Sequence, residues 1–311
     1  MPPSLKLFYA DHFVLPLPPG HRFPMEKYAR LHARLQAGGL FAAEDFRVPA
    51  AADDAALLRA HDAGYLQRIV SGTLDAAEMR RIGFPWSAAM VERSRRSAGA
   101  TLAACRAALE DGCAANMAGG THHAHRDSGS GFCVFNDAAV AALAMLAEGR
   151  ATRVAVIDCD VHQGDGTATI LAGNPATFTL SLHGAKNFPF RKAASDLDIE
   201  LPDGTADADY LAALERGLEA VFGGFRPDLA IYLAGAAPFA GDRLGRLALT
   251  RAGLAERDRR VLAACRAAAV PVAIAMAGGY ARHIDDTVAI HAATIETAAR
   301  LWHPTEQDAP A

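Results

Sequence analysis

The sequence predicts an α/β fold with one central, mostly parallel sheet and helices on both faces, giving three layers. Short apolar runs alternate along the chain with alanine-rich segments of helical length, as in parallel strands joined by crossover helices. The clearest strand, at residues 154–157, is a β-branched apolar run, which indicates burial on both faces. No repeat or linker divides the chain, so we expect residues 1–311 to form a single domain.

The elements follow from hydrophobic periodicity and from capping residues. Strands are predicted at residues 5–9, 113–117, 154–157, 176–183, 228–234 and 270–277. Helices are predicted at 27–36, 53–69, 87–109, from Asn136 or Asp137 to Ala147, and at 210–222, 253–268 and 287–301. Residues 72–86 and 184–207 are expected to be irregular, and the arginines of the 253–268 helix (Arg257, Arg259, Arg260, Arg266) are expected to be solvated.

Composition limits the classes of function. At 311 residues and 51% hydrophobic residues the chain can bury a large core, and a net charge of −4 gives no pull toward nucleic acid or an anionic membrane. The five cysteines show no CxxC spacing, so no disulfide framework is expected. Neither a leader segment nor an apolar run of membrane-spanning length is present, so we expect a cytoplasmic protein.

Two acids and a histidine, Asp158, Asp160 and His162, follow the clearest strand at alternate positions. Carboxylate oxygens and imidazole nitrogens are good donors to zinc, but a catalytic zinc site needs three protein ligands, and this stretch supplies only two. The alternative is a loop that caps the next helix through Asp165 and Thr167.

Two adjacent histidines, His122 and His123, follow a Gly-Gly turn after another predicted strand. A neutral imidazole can accept the proton of a metal-bound water, and Asp158 or Asp165 could support each ring. The alternative is a solvated loop pair. Because the carboxyl ends of parallel strands share one edge of the sheet, we expect these loops to converge.

Four motifs together resemble the zinc-dependent histone deacetylase family, and the resemblance implies the arginase–deacetylase fold. They are Gly119-Gly120-Thr121-His122-His123, Gly131-Phe132-Cys133-x-x-Asn136-Asp137, Asp158-x-Asp160-x-His162-x-Gly164-Asp165-Gly166 and Gly278-Gly279-Tyr280.

The resemblance also implies roles for individual residues. Zinc would be held by Asp160 and His162. His123, backed by Asp165, would exchange protons with the water and the leaving amine. His122, backed by Asp158, would act electrostatically, and Tyr280 would donate to the oxyanion.

Further resemblance concerns the substrate and a second ion. Gly131 and the rings of Phe132 and Phe188 would enclose the methylenes of an acyl-lysine. A potassium or sodium ion would be held by Asp158, by backbone oxygens of Asp160 and His162, and by Ser181 and Leu182. Some relatives use an acid near the segment 83–86 to grip a peptide, but no acid stands there in this chain.

One ligand position departs from the family pattern. The segment Ala234-Gly235-Ala236-Ala237-Pro238 has Ala237 where the family has its third zinc-binding aspartate. Alanine has no donor atom, so we expect weak zinc binding and severely reduced turnover. Because the rest of the site is intact, we interpret Ala237 as an engineered inactivating substitution; a natural pseudoenzyme is the alternative.

The leading functional hypothesis is hydrolysis of an acyl-amide, most simply acetyl-lysine in a protein. One alternative substrate is a small acylated amine such as an acetylpolyamine, against which the basic residues Lys186, Arg191 and Lys192 weigh. Another alternative is a non-catalytic reader of acyl-lysine. An arginase-like site with two manganese ions needs more carboxylates than these loops supply.

Overall fold

A computed structural model describes residues 5–304 and contains one sheet of eight strands, all parallel to their neighbours. In chain order the strands are β1 (Lys6–Phe8), β2 (Phe46–Arg47), β3 (Cys113–Asn116), β4 (Val154–Asp158), β5 (Thr177–Gly184), β6 (Leu197–Leu201), β7 (Leu229–Leu233) and β8 (Val272–Ala275). Across the sheet the order is β2-β1-β3-β8-β7-β4-β5-β6, so β4, β7 and β8 are central.

The helices pack on both faces of this sheet, which confirms the three-layer α/β prediction. They are α1 (Lys27–Ala37), α2 (Asp54–Leu57), α3 (Ala63–Ser71), α4 (Ala76–Ile82), α5 (Ala88–Asp111), α6 (Asp137–Ala147), α7 (Asp165–Leu171), α8 (Asp207–Glu219), α9 (Arg251–Ala267) and α10 (Ile284–Trp302). None of them is long and apolar enough to cross a bilayer.

The sheet separates two hydrophobic cores because successive side chains of a strand point to opposite faces. On β4, Ala155 and Ile157 belong to the core shared with α1, α8, α9 and α10. Val154 and Val156 belong to the other core, shared with helices α2 to α7. Residues 154–157 of β4 are therefore apolar and buried on both faces of the sheet, as the sequence predicted.

Three of the predicted segments were wrong in detail. The predicted helix at 53–69 is two helices, because Asp62, the N-cap of α3, has an extended backbone and its N–H donates to the carbonyl of Arg126 at 2.8 Å. The supposedly irregular 72–86 segment contains α4, whose start is fixed by a capping box between Asp75 and Glu78. The connection at 184–207 contains the edge strand β6.

Candidate active site

Loops from five strands meet at one edge of the sheet and enclose a cavity of about 760 Å³. They follow β3, β4, β5, β7 and β8, at the carboxyl ends of the strands where open α/β sheets place their ligands. The convergence of loops expected from the sequence is therefore present. Among the residues that line the cavity are His122, His123, Asp160, His162 and Tyr280.

Two buried histidine–aspartate pairs lie side by side in this site. The Nδ1 of His122 is 2.6 Å from Oδ2 of Asp158, and the Nδ1 of His123 is 2.7 Å from Oδ1 of Asp165. The two imidazole rings are 4.2 Å apart between centroids. Since an ionised carboxylate only accepts hydrogen bonds, each Nδ1 carries the proton, which leaves Nε2 for chemistry. The solvated-loop alternative for the histidines does not describe this arrangement.

The electrostatic environment shifts the pKa values of His122 and His123 in opposite directions. Burial opposes the charged form of His122, but the charge and hydrogen bond of Asp158 outweigh it and raise the pKa to about 9. Burial and the neighbouring charge of His122 lower the pKa of His123 to about 4, against the effect of Asp165. At neutral pH the pair therefore contains one cationic and one neutral imidazole.

The loop that carries His122 and His123, the histidine loop, is held by Asp137, which the sequence identified as a possible helix cap and as the last residue of one family motif. Its carboxylate is fully buried and accepts the N–H of Gly120 at 2.9 Å and that of Thr121 at 2.7 Å. The helix cap itself is Asn136, whose side chain accepts the N–H of Ala139. The signal in the sequence was that Asn136 and Asp137 both favour the N-cap position, although a helix has only one N-cap.

A second supporting residue, His61, was missed. Its Nδ1 is 2.9 Å from the carbonyl of His125, and its Nε2 accepts the N–H of Asn136 at 2.9 Å. Burial lowers the pKa of His61 to about 4, so the ring is neutral and joins the histidine loop to the start of α6. A histidine within an apolar helical segment was the only signal in the sequence.

The candidate metal ligands Asp160 and His162 contact each other directly. Oδ1 of Asp160 is 2.9 Å from Nδ1 of His162, and Oδ2 accepts the N–H of Gly278 at 2.9 Å. Burial opposes the charge of Asp160, but hydrogen bonds from His162 outweigh it and lower the pKa of the carboxyl. A side chain at Gly235 would collide with this carboxylate, so the segment carrying Ala237 passes beside it.

Ala237 is fully buried and offers only a methyl group. Within residues 5–304 no group of three or more His, Cys, Asp or Glu side chains is placed to hold a metal ion. The residues present therefore supply two donors and do not fit a three-ligand zinc site.

Arg257 corrects the expectation that the basic face of α9 is solvated. Its side chain is fully buried, pairs with Asp258, and donates to the carbonyls of Cys159 at 3.2 Å and Gly235 at 2.6 Å. These carbonyls belong to the two segments that carry Asp160 and Ala237. Arg257 therefore holds the segment of the candidate metal ligand Asp160 and that of the missing ligand next to each other. Nothing in the periodicity of α9 distinguished Arg257 from its exposed neighbours.

The residues of the predicted monovalent-cation site are all buried. Asp158 on β4 is paired with Ser181 on β5 in the sheet register, and Leu182 is the next residue of that strand. The hydroxyl of Ser181 is 3.0 Å from Nδ1 of His183. A potassium or sodium ion at this position stays a prediction.

Aromatic rings line the cavity beside His122 and His123. Phe188 meets His123 edge-on with centroids 4.9 Å apart, and Phe132 lies 6.0 Å from Tyr280 between ring centroids. Gly131 passes between two of these groups, because a Cβ there would lie 2.8 Å from Cδ2 of His123 and 3.4 Å from Phe188. Burial raises the pKa of Tyr280 well above its usual value, so its phenol stays protonated and able to donate.

The glycines before Tyr280 are explained by close contact. Neither Gly278 nor Gly279 has a positive φ, so a left-handed backbone conformation is not the reason for these glycines. A Cβ at Gly278 would lie 2.5 Å from Oδ2 of Asp160, and one at Gly279 would lie 2.5 Å from Thr287. The glycines therefore let this loop pack against the candidate metal ligand.

Comparisons with known proteins agree with this geometry. A family model described as the histone deacetylase domain matches residues 21–295. An uncharacterized protein of Picosynechococcus is 45% identical over 91% of this chain and 94% of its own. Histone deacetylase 2 of Arabidopsis thaliana is 31% identical, over 86% of this chain and 73% of its own. The crystal structure of an HDAC homolog complexed with SAHA superposes with a TM-score of 0.82 at 25% identity, covering 95% of this chain and 84% of that one. This chain belongs to the histone deacetylase family.

Proposed function

We propose that this chain carries the site of a zinc-dependent amidohydrolase that removes acetyl or other acyl groups from lysine side chains, in a form disabled at position 237. The observation that supports this most is the pair of buried dyads, His122–Asp158 and His123–Asp165, in a cavity lined by Phe132, Phe188 and Tyr280. The aromatic rings suit the methylenes of an acyl-lysine. We further propose that residues 1–311 act as one domain, of which residues 1–4 and 305–311 lie outside those described.

The proposed roles of His122 and His123 follow from their protonation states. His123, neutral and held by Asp165, takes a proton from the attacking water and gives it to the departing amine. His122, cationic beside Asp158, stabilises the oxyanion that forms when water adds to the acyl carbonyl. Tyr280 donates a hydrogen bond to the same oxyanion.

The missing donor at Ala237 determines how much of this chemistry survives. A bound zinc ion would polarise the acyl carbonyl, but two protein donors hold it less firmly than three. We therefore propose severely reduced turnover in this chain. The same observation favours a second candidate, a protein that binds acyl-lysine without hydrolysing it.

Restoring the carboxylate separates these candidates. Ala237→Asp, loaded with zinc, should hydrolyse an acetyl-lysine peptide with kcat/KM at least about 100-fold above that of the unchanged chain. Ala237→Asn is the matched control, because it has the shape of aspartate without its charge. If zinc-loaded Ala237→Asp hydrolyses no acyl-lysine peptide of any acyl length, but the unchanged chain binds these peptides, the protein is a reader and the proposed hydrolase is wrong.

A further inference from the structure

The outer part of the cavity is lined by five cationic side chains, which we name the cationic rim: Arg80, Arg81, Lys186, Arg243 and Arg246. All five are exposed. Among the described residues lining the cavity the only carboxylate is Asp160, which is fully buried. The rim thus has the opposite sign to the chain as a whole, whose net charge is −4.

The rim is attached to the substrate-facing walls on two sides by hydrogen bonds, one between backbone atoms and one from a side chain to the backbone. The carbonyl of Arg81, at the end of α4, accepts the N–H of Gly131 at 2.9 Å, which places Arg80 and Arg81 beside the Gly131 wall. On another side, Nε of Arg243 donates to the carbonyl of Tyr280 at 3.1 Å. These charges therefore lie next to groups proposed to contact the substrate.

A third side of the rim comes from the segment after β5. Lys186 stands two residues before the Phe188 ring, and the intervening Asn187 joins this segment to the next one. Its side chain donates to the carbonyl of Leu244 at 2.8 Å and accepts the N–H of Arg246 at 3.2 Å. Positive charge thus reaches the cavity from three separate segments of chain.

Most of the rim charge is available to a ligand. Arg246 pairs with Asp203 at 3.1 Å, whereas the other four rim cations have no carboxylate within 4.0 Å among residues 5–304. Lys192 does not line the cavity, and its ammonium donates to the carbonyls of Asn187 and Pro189, both at 2.6 Å, which braces the loop. Four exposed cations around one opening attract anions and repel cations.

We propose that the substrate carries negative charge beside the acylated amine, and that it is an acyl-lysine side chain within an acidic stretch of polypeptide. This inference rests on the proposed function, since it concerns the same site. Aspartate or glutamate residues flanking the acyl-lysine would lie against the rim while the acyl-lysine enters between the aromatic walls. An acylated polyamine or a lysine-rich tail would bring its own cations to the same opening.

The unchanged chain suits a binding experiment, because slow turnover leaves the ligand intact. Fluorescent peptides containing one acetyl-lysine would be flanked by Asp/Glu, by Ser/Gly or by Lys/Arg, and Kd would be measured by anisotropy. We expect the acidic peptide to bind roughly tenfold more tightly than the neutral one at low salt, and the basic peptide to bind least. The preference should shrink at 0.5 M salt, because exposed charges are screened.

Paired charge reversals test whether the rim causes the preference. Arg80→Glu/Arg81→Glu should abolish it, whereas Arg216→Glu/Arg266→Glu, an equal charge change on exposed residues outside the cavity, should preserve it. Equal Kd for the acidic and basic peptides overturns the inference. If no peptide binds measurably, kcat/KM of zinc-loaded Ala237→Asp decides: hydrolysis of all three peptides at equal efficiency overturns the charge inference alone, and hydrolysis of none overturns the proposed function with it.

Discussion

The carboxylate of Asp242 accepts the backbone N–H of Tyr280 at 2.6 Å, while its other oxygen accepts the N–H groups of Leu244 and Gly245 at 2.8 and 3.0 Å. Both oxygens are therefore engaged in fixing the loop that presents Tyr280. Asp242 lies five residues after Ala237, but within residues 5–304 it forms no group of three or more His, Cys, Asp or Glu side chains that could hold a metal ion.

Asp242→Ala should lower the free energy of unfolding by roughly 2–4 kcal/mol, because the buried N–H of Tyr280 and the part-buried N–H groups of Leu244 and Gly245 lose their acceptor. Urea unfolding measures this loss. Asp285→Ala is the control, since Asp285 is exposed and its pair with Arg30 lies at the surface; its effect should stay within about 0.5 kcal/mol. Equal losses in the two variants would contradict the role given to Asp242.

His123→Ala, made together with Ala237→Asp, should lower kcat by roughly 10²- to 10⁴-fold, because the neutral imidazole that exchanges protons is removed. KM should change far less. Steady-state kinetics on an acetyl-lysine peptide measures both constants. His283→Ala, at an exposed histidine outside the cavity, should leave them unchanged; an unaltered kcat in His123→Ala would remove His123 from the chemistry.

Stability should fall at acid pH partly through His61. Its pKa of about 4 in the folded chain lies below the unfolded value of 6.5, so the unfolded state binds the proton first as pH falls. The contribution of His61 is complete above pH 6.5 and is lost toward pH 4, by about 3 kcal/mol in total. The difference in unfolding free energy between the unchanged chain and His61→Gln should therefore shrink over this range. A difference independent of pH would show that His61 does not titrate as described.

Gly131→Ala should weaken binding of an acetyl-lysine peptide by roughly tenfold or more, because the new methyl group enters the space between His123 and Phe188. Gly149→Ala is a matched control. Its φ of +65° is close to the +54° of Gly131, but a Cβ there meets nothing within 4 Å. Both variants should lose similar stability from backbone strain, and only Gly131→Ala should raise Kd. An equal effect on Kd would contradict the proposed contact between Gly131 and the acyl-lysine.

The parallel sheet and the convergence of its loops could be predicted from the sequence, because strand β4 is apolar on both faces and the polar motifs follow strand ends. The His122–Asp158 and His123–Asp165 pairs were expected from the family resemblance, and the structure brings them together. Their roles in catalysis stay predictions.

The supporting residues could not be predicted in the same way, since their partners are distant in the chain. Arg257 reaches carbonyls 98 and 22 residues away, and His61 contacts Asn136 75 residues on. Periodicity describes which face of a helix is apolar. It does not show that Arg257 of α9 pairs with a buried carboxylate and donates hydrogen bonds to two backbone carbonyls. Of the cationic rim, only Lys186 was named from the sequence, because the members come from three segments that only the fold brings together.

The most direct test is the zinc affinity of the unchanged chain compared with that of Ala237→Asp, measured by competition with a chelator and checked by metal analysis. A missing third ligand predicts equimolar zinc in Ala237→Asp and binding weaker by roughly 100-fold or more in the unchanged chain. Equal affinity in the two proteins would show that position 237 is not a ligand position, and would contradict this account of the site.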